Sequence, residues 1–193
     1  MAKGHGKGGQ FERDTSRMLS MWLSNGEDDS WVWRTSQSGG RATQRAKKGK
    51  KTSGAYGDLT FTDSRAEWLF ELFVLELKRG YSGTNALDLI DSRKKEPELL
   101  AFWNQCNRDR EEANRPYSMV ILKRDRKSIC CMIHVSLFTK LKQVAGNFIG
   151  KELSFKLNND KVVLMLFEEF LNWLDPETVK QHLIADKPKL LSL

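Results

Sequence analysis

The chain has 193 residues and sets 32 Lys and Arg against 25 Asp and Glu, a formal charge of +7. That balance favours an anionic partner and says nothing of fold; the length suits one domain around one substantial core. Cys106, Cys130 and Cys131 are too few and too badly spaced for a disulfide framework or a four-cysteine zinc site. His5, His134 and His182 are scattered, so no histidine-based metal or triad constellation is visible. No apolar run reaches the roughly 18 residues of a membrane span, and a reducing cytoplasm is the expected setting.

Residues 1–9 lack the apolar core of a signal peptide and read as a flexible basic arm. A single domain is expected over 10–185, with a loose tail at 186–193. Gln10 to about Leu23 places Phe11, Met18, Leu19 and Trp22 at helical spacing and stops before Asn25-Gly26. Trp31-Val32-Trp33 is a short strand candidate. Residues 35–56 are glycine-rich and polar, carry Arg41, Arg45, Lys47, Lys48, Lys50 and Lys51, and read as a mobile basic loop. Gly57–Thr62 and Trp68–Lys78 are read as two strands joined by Asp63–Glu67 as an antiparallel hairpin. A helical turn is expected within Ala86–Arg93, and a helix over Glu98–Asn114 with Leu99, Phe102, Trp103, Cys106 and Ala113 inward. Tyr117–Val135 reads as a hairpin turning at Lys123–Ser128. A short helix near Ser136–Val144, a strand near Val162–Phe167 and a helix over Glu168–Leu174, ended by Asp175-Pro176, complete the order. Strands interleaved with helices in this way point to an α/β fold with a mixed sheet flanked by helices. The tryptophans at 31, 33, 68 and 103 fall in apolar stretches and are expected in the core.

The residues that stand out are Asp58, Glu76 and Lys78. An acid and a base at the end of a nearly all-apolar strand are costly to bury without partners. Glu76 and Lys78 are two apart and project to one side of that strand. In the hairpin pairing, Asp58 falls opposite Glu76 or a near neighbour, with Cβ atoms roughly 4.5–5.5 Å apart. Two carboxylates that close repel unless a cation lies between them, and hard oxygen ligands suit Mg²⁺, with Mn²⁺ as a substitute. The plain alternative is a cross-strand ion pair at a sheet edge. The one other acid-x-Lys, Asp125-Arg126-Lys127, lies in a polar turn cluster.

Four segments in order, Phe11-Glu12-Arg13, Arg34 to Ser38-Gly39-Gly40, Gly57-Asp58 and Leu75-Glu76-Leu77-Lys78, resemble the PD-(D/E)XK nuclease superfamily, and within it the archaeal-type Holliday junction resolvases and their phage-borne relatives. The resemblance covers roughly residues 9–80; Gly57 stands where the superfamily's proline would. It implies a restriction-endonuclease-like fold. It also implies that Glu12, Asp58, Glu76 and the Leu77 carbonyl hold one or two Mg²⁺ ions, that Lys78 positions water or neutralises phosphoryl charge, and that Arg34 and Ser38 contact the DNA backbone. The basic residues Arg41–Lys51 then read as a phosphate-binding flap. On the second helix Gln105 lies near Trp103, where the resemblance offers a polar residue facing the site, although a solvated helix face is the favoured expectation.

The resulting expectation is a Mg²⁺-dependent endodeoxyribonuclease that cuts branched DNA, four-way junctions first, as a homodimer in a prokaryotic or phage-infected cell. Apolar faces near Val162–Trp173 are the expected dimer surface. A restriction-like or nick-, flap- or duplex-cutting endonuclease is the first alternative, and a non-catalytic DNA-binding module the second.

Overall fold

Apolar stripes on helices and fully apolar strands divide the chain into a central sheet and two covering layers. The computed structural model describes residues 5–35 and 56–185. Helix α1 (His5–Leu23) buries Phe11, Leu19 and Leu23, and the hydroxyls of its inward Ser16 and Ser20 donate to the carbonyls of Arg13 and Ser16 at 2.9 Å. It starts five residues ahead of the expected Gln10. Extending a formed helix gains a hydrogen bond for each residue fixed, which carries it back through glycines of poor propensity.

Strand β1 (Val32–Arg34) pairs antiparallel with β2 (Leu59–Phe61), and the Val32 N–H donates to Ser20 Oγ at 2.9 Å, docking this ribbon on α1. A 3₁₀ turn at Ser64–Ala66 leads into helix α2 (Glu67–Leu72) and then strand β3 (Phe73–Arg79). There follow α3 (Asp88–Asp91), α4 (Glu98–Glu112), β4 (Tyr117–Lys123), β5 (Ile129–His134), α5 (Val135–Ala145), β6 (Glu152–Leu157), β7 (Asp160–Leu166), α6 (Phe167–Trp173) and α7 (Pro176–Ala185). The main sheet has the order β3-β4-β5-β7-β6, with β3 and β4 parallel and every other pair antiparallel. This is the restriction-endonuclease-like mixed sheet flanked by helices.

Two cores lie on the two faces. Phe73, Leu75 and Leu77 of β3 join the core formed with α1, α2, α5, α6 and α7. Val74 joins the other, with Leu99, Phe102, Trp103 and Cys106 of α4. Trp103 Nε1 and Asn107 Nδ2 both donate to Asp160 Oδ2, at 2.7 and 3.0 Å, which locks α4 against the start of β7.

Four expectations are corrected. The run Trp68–Lys78 is not one strand: its first part is α2, with Trp68, Leu69, Phe70 and Leu72 buried and Glu67 and Glu71 exposed on one side. An almost unbroken apolar run has no period with which to tell helix from strand. The β2–β3 hairpin therefore does not form; β2 pairs with β1 and β3 with β4. Val162, Val163, Met165, Phe167, Phe170 and Leu171 are buried in the monomer and leave no apolar dimer face between residues 162 and 173. Trp31, Trp68 and Trp103 are core residues, but Trp33 is 41% exposed because its neighbours Val32 and Arg34 take the side facing α1.

Strand β6 and helix α7 were not anticipated. Only Leu157 is fully buried in β6, so its apolar signal is weak. Asp175-Pro176 ends α6 and also starts α7: Asp175 Oδ2 accepts from the Thr178 N–H at 2.7 Å, a side-chain cap ahead of proline in the first helical turn.

Candidate active site

The chemistry-bearing residues gather where the outer edge of β3 meets the segment entering β2. Alternation along β3 turns Val74, Glu76 and Lys78 toward α4. Glu76 is only 4% exposed, and its Oε1 accepts from Lys78 Nζ at 2.6 Å and from Gln105 Nε2 at 2.8 Å. Lys78 Nζ also donates to Gln105 Oε1 at 2.8 Å, closing a triangle of hydrogen bonds across β3 and α4. Charge-assisted bonds of this kind offset the desolvation of a buried carboxylate.

Asp58 reaches the same strand by docking on its edge. Its N–H donates to the Leu75 carbonyl at 2.9 Å, and its Oδ2 accepts the Leu77 N–H at 2.8 Å. The neighbouring Gly57 has φ +78°, and a Cβ there would lie 2.6 Å from the Leu75 oxygen. Glycine is required at that position by both the backbone conformation and the close approach. Thr35 ties the exit of β1 to this segment, its N–H donating to the Asp58 carbonyl at 2.9 Å and its Oγ1 to the Gly57 carbonyl at 3.2 Å.

Burial, and next the Glu76 carboxylate, push the Asp58 carboxyl up to about 8; the Leu77 amide and Lys78 act against this, and Glu12 adds to it. Glu12 projects from α1 and is ion-paired with Arg34 Nη2 at 3.0 Å. The three acids therefore share one electrostatic environment, although no group of three His, Cys, Asp or Glu among the described residues forms a ready metal cage. The Leu77 side chain belongs to the core, and its amide serves Asp58. Ser38, Arg41, Arg45, Lys47, Lys48, Lys50 and Lys51 lie outside the described residues.

Gln105 is not on a solvated face: it bridges Glu76 and Lys78. Asp109, one turn further along α4, is pushed up to about 6 by burial first and the Glu76 charge second. The signal for both was present, since Gln105 follows inward Phe102 by three residues and precedes Asp109 by four.

A family model described as "Phage putative PDDEXK endonuclease" matches residues 3–181. The chain belongs to this family. No curated protein and no solved structure matches it. A PDDEXK endonuclease is a nuclease that acts on DNA, and such nucleases generally require a divalent metal ion. The donor chemistry here fits one. The side chains around Asp58 offer oxygens of carboxylates, hard ligands of the kind Mg²⁺ and Mn²⁺ select. Burial first and the Glu76 carboxylate second raise Asp58, and a cation bound beside it would favour its charged, ligating form.

Two outcomes follow for this candidate site. Gly57→Ala should lower unfolding stability by about 2 kcal/mol or more, read by urea denaturation, because it adds positive-φ strain to a clash with Leu75. Gln105→Ala should cut nuclease activity about 10–100-fold, the usual effect of removing a group that orients site residues, with an unchanged circular dichroism spectrum.

Proposed function

We propose that this protein is a Mg²⁺-dependent endodeoxyribonuclease that cleaves branched DNA, four-way junctions first, as a two-fold homodimer. The family supports a phage setting, and a prokaryotic or phage-infected cytoplasm is the compartment this reading carries. One observation carries the chemistry: Asp58 is anchored by two hydrogen bonds on the strand that bears Glu76 and Lys78. Asp58, Glu76, Glu12 and the Leu77 carbonyl are the groups that would hold Mg²⁺, with Mn²⁺ as a substitute. When bound, the ion polarises the scissile phosphate and lowers the pKa of water.

The remaining work falls to the chain's own residues. Lys78 Nζ, held by Glu76 and Gln105, places a fixed positive charge for phosphoryl oxygens as their charge grows. Arg34 neutralises Glu12 and lies beside it for a backbone phosphate. Ser38 and the basic residues from Arg41 to Lys51 supply further phosphate contacts in this reading. Support comes from Thr35 and Gly57, which flank that segment and are hydrogen-bonded to one another at the site.

The length of this basic segment favours a second reading, in which nicked, flapped or plain duplex is cut as well. Cleavage of a labelled four-way junction beside a linear duplex of matched sequence, with Asp58→Asn as the blank, separates the two. Paired symmetric cuts confined to the junction are expected; equal cutting of both substrates selects the general endonuclease. A protein that binds DNA without metal-dependent cutting of either substrate is a binding module. Glu76→Gln and Lys78→Ala should each lower cleavage at least about 100-fold, and near wild-type rates in both would overturn the site assignment.

Replacing Arg41, Arg45, Lys47, Lys48, Lys50 and Lys51 by Gln should weaken DNA binding and flatten its salt dependence. The slope of log K against log salt should fall by up to about 5. Unchanged binding would leave the segment without a role at DNA.

A further inference from the structure

The main sheet has two edges, and they are treated differently. The β3 edge is closed by Gly57 and Asp58, whose backbone and carboxylate bond to Leu75 and Leu77. The β6 edge is open: among the described residues, no backbone hydrogen bond reaches Glu152–Leu157 from the side away from β7. Glu152, Leu153, Ser154 and Lys156 are exposed, Leu153 by 48%. The strand has no proline and pairs with β7 over all six residues without a bulge. Soluble proteins normally blunt an edge of this length, because its free N–H and C=O groups recruit another strand.

We infer that β6 is the surface through which two copies of this chain associate, pairing antiparallel with the β6 of the second copy about a two-fold axis at Ser154. The strand is self-complementary about that residue. Glu152 falls opposite Lys156 of the second copy and Leu153 opposite Phe155, each contact occurring twice, while Ser154 meets Ser154 once on the axis. Alternation keeps the two kinds of contact apart. Leu153 and Phe155 share the α4 side of the sheet, where Phe155 is already half-buried against the core, while Glu152 and Lys156 take the opposite side. Moving the axis to Leu153 or Phe155 sets Glu152 opposite Ser154 or Asn158 and loses both ion pairs. The register is therefore specified by charge as well as by apolar contact.

The inference rests on the homodimer of the proposed function and names its surface. It makes one continuous ten-stranded sheet with the two β3 strands outermost. At about 4.8 Å per strand the two Asp58–Glu76–Lys78 sites lie roughly 40 Å apart. The axis is perpendicular to the sheet, so both sites open on the same side, each available to its own strand of a branched substrate.

The test is sedimentation of the full chain over a range of micromolar concentrations. The mass should rise from the 22.2 kDa monomer toward twice that value. Glu152→Lys and Lys156→Glu each place like charges opposite one another and should weaken association about 10-fold. The double exchange should restore it to within about threefold of the wild type. In a Cys130→Ser background, chosen because Cys130 is the one partly exposed cysteine, Ser154→Cys should cross-link the dimer under mild oxidation and Glu152→Cys should not. A chain that is monomeric at every concentration overturns the inference. So does a dimer indifferent to the charge exchange, or equal cross-linking at both positions. None of these readouts uses cleavage, so their failure is separate from failure of the nuclease reading.

Discussion

Two hydrogen bonds from Asp58 to the edge of β3, one from its backbone and one to its carboxylate, hold the candidate site together. Through them the short β1–β2 ribbon, which belongs to a separate ladder, is brought into register with the main sheet. The same contact closes an edge that would otherwise recruit another strand, and it sets one carboxylate beside the strand carrying Glu76. Gly57 makes the approach feasible, since any side chain there would strike the Leu75 carbonyl. A glycine in place of the superfamily's proline thus has a local physical reason.

Electrostatics around this junction are balanced by pairing. Glu76 is satisfied by Lys78 and Gln105, and Glu12 by Arg34. Asp58 has a backbone amide, and burial together with Glu76 pushes it upward. A buried carboxylate held this far from its ordinary range is a group that gains by meeting a cation. Lys78 is bound within the triangle, and in the proposed reaction its charge would be oriented before a phosphate arrives, limiting the reorganisation required.

The two edges of the sheet differ in construction. At β3 the edge is capped and the polar groups turn toward α4; at β6 the edge is open and self-complementary. Helix α4 connects them physically. Its Gln105 serves β3, and its Trp103 and Asn107 are bonded to Asp160 at the start of β7, the strand that pairs with β6. The position of Gln105 is therefore tied to the far side of the sheet by side chains of its own helix.

Much of this was legible in the chain before folding. The spacing of Glu76 and Lys78 dictates a shared side wherever they lie in a strand, and the stripes on α1 and α4 and the polar turn between β4 and β5 announce those elements by period and composition. A β2–β3 hairpin does not form, because the nearly unbroken apolar run Trp68–Lys78 does not state its period, and its first five residues are helix. Strand β6 carries little signal in the sequence because an edge strand buries little. The partnership of Asp58 with β3, of Gln105 with Glu76 and Lys78, and of Glu12 with Arg34 joins residues far apart in sequence. Local propensity and periodicity govern what each segment becomes, but contacts between segments arise only when packing selects which edges and faces meet.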